Sequence, residues 1–326
     1  MMTQLLNISG LKTHYFIEFG VVKAVDGVSL ELNQGECFGL AGESGCGKST
    51  LALSILKLIK PPGRIIDGKI IFKGTDLIPL SPKEMRKIRW CKIAMVFQGA
   101  LNAFNPVYTI GTQIVEAIRT HLGVSKEEAK DKTIKLLESV GLSSSNFRSY
   151  PHELSGGMRQ RALIAMALSC DPEMLIADEP TTAVDVVTQA QILTLLKDLQ
   201  KQRNLSLMVI SHDLSILAQI CDRLAVMYAG KMVENADIET IYSKPAHPYT
   251  RALIDAFPSV KGPKKPLRTL PGEPPNLINL PKGCAFHPRC PHAMAICREV
   301  EPEITQVGSG HYVVCHLYGE PRKKGR

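Results

Sequence analysis

The stretch Gly42-Glu43-Ser44-Gly45-Cys46-Gly47-Lys48-Ser49-Thr50 constrains the fold most, because it fits the pattern G-x-x-x-x-G-K-[ST] in full. Residues 37–41 before it are apolar and predict a strand. The largely apolar residues 51–58 after it predict a helix that stops at Pro61-Pro62. A strand, a glycine-rich loop and a helix in this order are typical of a phosphate-binding loop. The sequence therefore predicts an α/β fold with a nucleoside triphosphate site.

Main-chain groups are expected to do most of the phosphate binding, because the glycines let backbone N–H groups point inward and the helix adds its positive dipole end. Lys48 would reach the β- and γ-phosphates, and the Ser49 hydroxyl would bind Mg²⁺. The other nucleotide contacts predicted from the loop are Gly42, Ser44, Gly45, Cys46, Gly47 and Thr50.

Length and charge limit the function classes. The 326 residues can form one large α/β domain and a smaller one. No apolar run approaches the ~18 residues that span a bilayer, and no signal peptide is apparent, so a cytosolic protein or one bound to a cytosolic surface is predicted. Residues 259–326 hold 11 Lys and Arg against 5 Asp and Glu, which is +6 of the net +8. The nearly neutral remainder argues against a nucleic-acid partner, whereas the basic residues 322–326 either touch an acidic surface or are simply solvated.

Strand and helix patterns alternate along the chain, which predicts a mainly parallel sheet covered on both faces. Short strands are expected within residues 1–40, including 24–32. A capping box at Ser81-Pro82-Lys83-Glu84 predicts a helix start. Further helices are predicted at 111–121, 125–140 and 187–200, and further strands at 92–97, 174–177, 205–210 and 224–228. Nine prolines between Phe257 and Pro291 predict a domain boundary near 257–258 and an irregular extension after it.

Two further motifs suit phosphate chemistry. The apolar strand at 174–177 ends in Asp178 and Glu179; in a phosphate-loop protein the first acid can hold Mg²⁺ and the second can orient the attacking water. Leu154-Ser155-Gly156-Gly157-Met158 precedes the apolar helix pattern at 162–168, and small residues at a helix start expose N–H groups to an anion.

These motifs, in this order over residues 1–245, resemble the ATP-binding subunits of ABC transporters. Gly42–Thr50 matches the Walker A loop, and Asp178 with Glu179 the end of Walker B. Leu154–Met158 matches the signature, with Met158 where glutamine is usual. The remaining matches are Gln98 for the Q-loop, Val184-Asp185 for the D-loop, His212 for the switch histidine, and Tyr15 (or, as the alternative, Phe16) for the aromatic that stacks on adenine.

The resemblance implies a RecA-like P-loop NTPase core at about 1–98 and 171–245, with a helical signature subdomain at about 99–170. Together these form an ATPase domain at 1–257, followed by an extension at 258–326. Two such subunits are expected to sandwich two ATP molecules. Lys48 would bind the phosphates, and Mg²⁺ would be bound by Ser49, Gln98 and Asp178. Glu179 would polarise the attacking water, and His212 would contact the γ-phosphate. Ser155, Gly156 and Gly157 would reach the ATP of the partner subunit, where Met158 cannot donate the hydrogen bonds of glutamine.

Residues 246–253 (Ala-His-Pro-Tyr-Thr-Arg-Ala-Leu) resemble the segment that opens the C-terminal region of oligopeptide and dipeptide transporter ATPases. Residues 23–28, Phe104-Asn105-Pro106 and the Met-Arg-Gln form of the signature agree with this subfamily. It implies import of dipeptides or oligopeptides, with nickel or a sugar as alternatives. The implied location is peripheral, on the cytoplasmic face of the membrane.

The subfamily also implies partners: two transmembrane permease subunits, an extracellular substrate-binding protein and a second ABC ATPase. A heterodimer is favoured, and a homodimer is the alternative. A soluble ABC ATPase acting on nucleic acid is the rival of another class. Such proteins usually carry a coiled-coil insertion or two ATPase domains, and this chain has neither.

Four cysteines fall in the extension at Cys284, Cys290, Cys297 and Cys315, spaced C-x5-C-x6-C-x17-C. A proline-rich segment without a core needs a staple, and a reducing cytosol disfavours disulfides. Zinc usually shows a C-x2–4-C pair, which is absent, although His287, His292, His311 and His316 could substitute. Four thiolates suit a [4Fe–4S] cluster, which the dipeptide permease resemblance also implies. Zinc and no metal remain alternatives, and a regulatory metal sensor is a further reading of the extension.

Overall fold

The computed structural model describes residues 3–99, 103–182, 184–256 and 272–319. The predicted boundary at 257–258 and the basic residues 322–326 lie outside these ranges. The chain forms two compact units. Unit 1 comprises Met1–Leu5, Leu32–Cys37 and Lys73–Ile210, and unit 2 comprises Leu6–Glu31, Phe38–Phe72 and Ser211–Arg326. The division into an ATPase domain and an extension stays a prediction.

Strands and helices alternate over most of the described chain, as expected for an α/β protein. The strands are β1 (Gln4–Ile17), β2 (Gly20–Asn33), β3 (Cys37–Ala41), β4 (Gly63–Phe72), β5 (Thr75–Asp76), β6 (Ile93–Val96), β7 (Met174–Asp178), β8 (Ser206–Ser211), β9 (Arg223–Tyr228), β10 (Lys231–Asp237), β11 (Ile304–Gly308) and β12 (His311–Val314). The α-helices are α1 (Lys48–Ile55), α2 (Pro82–Ile88), α3 (Ile110–Leu122), α4 (Lys126–Ser139), α5 (Gly156–Ala167), α6 (Val186–Arg203), α7 (Leu214–Ile220), α8 (Ile238–Ser243) and α9 (Pro248–Asp255).

Unit 1 contains parallel strands in the order β8-β7-β6. Every residue of β7 and β8 is buried, which explains their nearly continuous apolar sequences, since a parallel sheet is covered on both faces. The predicted capping box is confirmed at α2: the Glu84 N–H donates to Ser81 Oγ (3.3 Å), and the Ser81 N–H donates to Glu84 Oε2 (2.8 Å).

Unit 2 contains strands in the order β11-β12-β10-β9-β3, parallel between β3 and β9 and antiparallel from β9 outward. It also contains β1, which pairs antiparallel with β4. The strand β3 is wholly buried and leads directly into the phosphate loop, as the apolar sequence predicted.

Three predictions are corrected by the structure. The N-terminal strands β1 and β2 are long, with 14 residues each, rather than short. Helix α1 ends at Ile55 and not at the prolines, because Lys57 adopts a left-handed conformation (φ 49°) and the Leu58 N–H turns back to the Leu53 carbonyl (2.8 Å). The extension is not wholly irregular, because β12 pairs with β10 and β11 pairs with β12.

Across the part of the chain that the structure describes, no helix is long and apolar enough to cross a bilayer.

Candidate functional site

The phosphate loop of unit 2 depends on glycine at two positions where the backbone leaves no space. Gly42 has φ 148°, and a Cβ there would lie 2.3 Å from the Met227 carbonyl oxygen. Gly47, the residue before α1, has φ 110°, and a Cβ there would lie 1.9 Å from the Ala24 carbonyl oxygen. These contacts and torsions exclude any larger residue, so the glycine spacing of the motif follows from the packing of the loop.

Lys48 is buried at the first position of α1. Its ammonium group donates to the carbonyl oxygens of Gly42 (2.7 Å) and Glu43 (2.9 Å), so the loop curls around its own cation. Ser44 and Gly45 are exposed, and Ser49 and Thr50 are half-buried. Cys46 is buried within the loop, and burial raises the pKa of its thiol. The Lys48 ammonium is therefore held inside the loop by the loop's own carbonyl groups, and Ser44 and Gly45 form its exposed part.

The adenine candidates lie at the end of β1. The Tyr15 ring is half-buried, and a Cβ on Gly63 would lie only 2.6 Å from its Cε1 atom, so the ring covers that glycine. Phe16 is exposed, and the Arg64 guanidinium lies over its ring at 4.4 Å from the centroid. Both rings belong to unit 2, together with the phosphate loop.

Unit 1 brings together Gln98 and Glu179, two residues that the sequence placed 81 positions apart. Gln98 Nε2 donates to Glu179 Oε2 at 3.0 Å, and the Thr182 hydroxyl donates to the same oxygen at 2.9 Å. Asp178 is buried as the last residue of β7. Glu179 follows it in a left-handed conformation, with φ 47°. The turn after the strand thus directs two successive carboxylates differently, one into the interior and one toward the exposed glutamine.

The signature residues start helix α5, also in unit 1. Ser155 is its N-cap and accepts a hydrogen bond from the Met158 N–H at 3.3 Å. A Cβ on Gly157 would lie 2.4 Å from Thr188 Cγ2. Thr188 in turn bonds through its hydroxyl to Asp185 Oδ2 at 2.6 Å, and Asp185 caps α6. Thr188 therefore links the predicted signature position Gly157 to the predicted D-loop residue Asp185 within one unit. Gly156 and Met158 are half-buried.

His212 is exposed at the start of the unit 2 segment Ser211–Arg326, directly after β8. The next residue, Asp213, caps α7 by accepting from the Ser215 N–H at 2.8 Å. The local sequence thus fixes the backbone next to the histidine.

The sequence did not predict the partners of Glu43, the second residue of the phosphate loop. Arg289 donates to both of its carboxylate oxygens, at 2.7 and 2.9 Å, and the Glu43 N–H donates to the Tyr249 hydroxyl at 2.9 Å. Arg289 lies 246 positions away, between two of the predicted metal ligands. No local pattern could have indicated this contact.

The extension cysteines lie within electrostatic reach of one another. The pKa of Cys284 is raised to about 11, first by burial and then by the charges of Cys297, Cys315 and Cys290. Burial likewise raises the pKa of Cys290 and of Cys315. All nine cysteines of the chain are free. Nevertheless, within residues 3–99, 103–182, 184–256 and 272–319 no group of three or more His, Cys, Asp or Glu side chains could hold a metal ion. The structure therefore does not show the predicted metal staple.

The buried strands, phosphate loop, strand-end carboxylates and signature helix together define a P-loop ATPase of the ATP-binding cassette class. The family profile described as "ABC transporter" matches residues 25–182. A second profile, "Oligopeptide/dipeptide transporter, C-terminal region", matches residues 233–297.

Similar curated proteins include the dipeptide transport ATP-binding protein DppD of Escherichia coli, 45% identical over 96% of this chain and 96% of that protein. The oligopeptide transport ATP-binding protein AppD of Bacillus subtilis is 44% identical over 98% of both. Among solved structures, a bacterial ABC transporter cassette solved as a dimer has a TM-score of 0.65 and 28% identity, covering 72% of this chain and 99% of its own. The same cassette bound to ADP and Pi, in a post-hydrolysis state, matches equally well.

The chain therefore belongs to the ATP-binding subunits of ABC transporters, in their oligopeptide/dipeptide group. It is an ATP-binding, ATP-hydrolysing protein of that family, and Mg²⁺ is the metal expected with its nucleotide.

Proposed function

We propose that this ATPase powers the import of dipeptides or oligopeptides across the cytoplasmic membrane, bound peripherally to the cytoplasmic face of its transporter. The observation that carries this proposal is the identity of about 45% to dipeptide and oligopeptide transport ATP-binding proteins over nearly the whole chain, extension included. Import of nickel or a sugar is the alternative within the same group.

In this proposal each site residue has a defined role in ATP binding or hydrolysis. Lys48 and the backbone from Gly42 to Thr50 bind the phosphates, and Ser49, Gln98 and Asp178 serve Mg²⁺. Glu179 polarises the attacking water, and its hydrogen bonds from Gln98 and Thr182 support this role by orienting the carboxylate. His212 contacts the γ-phosphate, and Tyr15 stacks on adenine. Ser155, Gly156 and Gly157 reach the nucleotide of the second ATPase, which is a related chain in a heterodimer.

The segment after Gln98 receives the two permease subunits. Val107 and Tyr108 support this assignment, because 69% and 52% of their surfaces are exposed. Their loop is nevertheless ordered: the buried Gln113 accepts from the Asn105 N–H (2.9 Å) and donates to the Tyr108 carbonyl (3.0 Å). An ordered loop that exposes large apolar side chains suits a protein contact.

The docking assignment is tested with Val107→Asp and Tyr108→Asp in the full chain. Both variants are expected to lose co-purification with multi-span membrane proteins while the isolated chain still binds ATP. Phe19→Asp, at a still more exposed apolar residue in the β1–β2 turn, is the control. Normal recovery of membrane subunits with both variants would refute the assignment.

The transport function is tested by purifying the tagged chain anaerobically from gently solubilised native membranes. Two multi-span subunits with a second ATPase are expected, and an associated substrate-binding protein would then give the substrate by ligand screening. Recovery with ribosomes or nucleic acid instead would favour the soluble rival and leave only the ATPase chemistry.

The four extension cysteines form a [4Fe–4S] site in this proposal. Support comes from their donor chemistry and from the Cys284 N–H bond to the Cys297 carbonyl (2.8 Å), which ties two of the segments together. A bound cluster would cross-link the extension.

Iron and acid-labile sulfide in the anaerobically purified full chain measure the cluster directly. Both are expected in the unmodified protein and lost in Cys290→Ser, whereas Cys91→Ser, outside the extension, retains them. One zinc per chain would replace the iron–sulfur assignment with the zinc alternative, and no metal at all would remove both.

A further inference from the structure

The extension contacts the phosphate loop through an ion pair between Arg289 and Glu43. Arg289 Nη1 lies 2.7 Å from Glu43 Oε2, and Arg289 Nη2 lies 2.9 Å from Glu43 Oε1, so the guanidinium and carboxylate meet fork to fork. Only 6% of the Arg289 side chain is exposed, and 22% of Glu43. A two-point contact between planar ions fixes direction as well as distance.

Arg289 is held rigidly on its own side. It ends a short 3-10 turn, His287–Arg289, and its N–H donates to the Phe286 carbonyl at 3.0 Å. The Phe286 ring is buried against Tyr228 and Tyr249, with centroids 5.2 and 5.4 Å away. An aromatic anchor one turn earlier therefore fixes where the guanidinium points.

Glu43 is held at its backbone too. Its N–H donates to the Tyr249 hydroxyl (2.9 Å), and its carbonyl accepts from the Lys48 ammonium (2.9 Å). The residue that carries the ion pair is therefore also a residue that binds the phosphate-reaching lysine. A shift of Glu43 would move a carbonyl that holds Lys48.

The negative charge of Glu43 disfavours nucleotide binding by the phosphate loop. A carboxylate inside a loop that binds a polyphosphate repels the ligand. Arg289 removes this repulsion because its guanidinium stays ionised at every accessible pH and pairs both oxygens.

We propose that Arg289 is a positioning residue for nucleotide binding. From the extension, its guanidinium neutralises the Glu43 carboxylate and fixes the position of the phosphate loop. The extension is then a working part of the ATP site of its own chain, besides any metal it holds. This inference rests on the ATPase family of the chain and not on the transported substrate or the cluster.

The test compares ATP affinity among three variants of the full chain, with thermal unfolding recorded for each. Arg289→Met is expected to raise the ATP Kd about tenfold, the size of effect that one uncompensated charge produces near a polyanion at an effective dielectric constant of about 20. Glu43→Gln is expected to bind ATP at least as tightly as the unmodified chain. The double variant Arg289→Met with Glu43→Gln is expected to regain most of the affinity, since neither charge remains.

A purely structural role for Arg289 predicts a different pattern, in which the double variant binds ATP as weakly as Arg289→Met. That pattern would overturn the proposal, and so would unchanged affinity in Arg289→Met. Arg298→Ala, an exposed arginine of the same extension, is the matched control and should bind ATP normally.

Should Arg289→Met fail to fold, Arg289→Lys takes its place. Lysine keeps the positive charge but cannot pair both Glu43 oxygens as the guanidinium does. The ATP Kd of this variant should therefore rise less than about threefold if neutralisation is the main effect. A larger loss in a folded Arg289→Lys protein, not repaired by Glu43→Gln, would reject neutralisation.

Discussion

Glu179 accepts a hydrogen bond from Gln98 at 3.0 Å, across 81 positions of sequence, and its own N–H is bonded to the Ile210 carbonyl at 2.9 Å. The Gln98 amide thus orients the Glu179 carboxylate, and the hydrogen bond to Ile210 fixes the Glu179 backbone to the neighbouring strand β8. A general base needs this kind of restraint, because proton transfer depends on position before it depends on pKa.

The first prediction concerns this carboxylate. Glu179→Gln keeps the shape of the side chain and removes the proposed base, so ATP should still bind while turnover falls at least about a hundredfold, the usual contribution of a positioned base. Steady-state ATPase and ATP binding on the same preparation measure both effects. Glu138→Gln, an exposed glutamate at the end of α4, is the control and should behave as the unmodified chain does. Near-normal turnover in Glu179→Gln would reject its role.

A second prediction concerns the attachment of the extension strand β12. The carboxylate of Glu234 in β10 is buried and accepts from the Ala246 N–H (2.6 Å), the His247 N–H (2.9 Å) and His311 Nε2 (2.8 Å). Glu234→Ala leaves these donors buried without an acceptor, which should lower the free energy of unfolding by about 3 kcal/mol. Urea denaturation measures the loss.

Glu239→Ala, at an exposed position of the neighbouring helix α8, should change this free energy little. Equal stabilities of the two variants would show that the Glu234 contacts contribute nothing net. Glu234→Gln, which keeps one acceptor oxygen, should fall between them.

A third prediction is a pH dependence of stability. His247 is buried, and burial lowers its pKa from 6.5 to about 3. Its Nδ1 accepts from the Tyr249 N–H at 3.0 Å, which the neutral ring can do and the protonated ring cannot. Between these two pKa values the unfolded chain binds a proton that the folded chain does not. Stability is therefore complete above the unfolded pKa and falls as the pH drops below it, at up to about 1.4 kcal/mol per pH unit.

The measurement compares the unmodified chain with His247→Asn from pH 7 to pH 5. Asparagine keeps a cap acceptor for α9 without titrating, so the variant should lose less stability over this range. His292→Asn, at an exposed histidine, should keep the steeper slope of the unmodified chain. Identical slopes for all three proteins would contradict a buried, neutral His247.

Local motifs made the fold and most of the candidate site predictable. The apolar strand β3 before the loop, the capping box at Ser81 and the run that ends at Asp178 each contain their own signal within a few residues. The length of the N-terminal strands was underestimated because the glycines in this region are typical of turns. Gly10 (φ 58°) instead lies in an irregularity of β1, where the pairing with β4 shifts between Ser9 and Lys12, so the strand continues past it.

Contacts between distant segments could not be predicted. Arg289 meets Glu43 across 246 positions, and His311 meets Glu234 across 77. Neither pair has a spacing rule, because each depends on how the extension packs on strands that are far away in sequence. The short strand β12 was missed for a related reason: four residues are too few for an alternating pattern to stand out, and its pairing with β10 makes it a strand.

The last prediction concerns the contact between the signature and the cap of α6. Gly157→Ala would place a methyl group 2.4 Å from Thr188 Cγ2, so Thr188 must rotate and lose its hydroxyl bond to Asp185. ATPase activity should therefore fall. The second change Thr188→Ser removes the methyl group and keeps the hydroxyl, so the double variant should regain part of the activity, and Thr188→Ser alone should stay near normal. Steady-state ATPase rates of the three variants decide the matter: an equally low rate with and without Thr188→Ser would place the defect at the partner's nucleotide instead of at this contact.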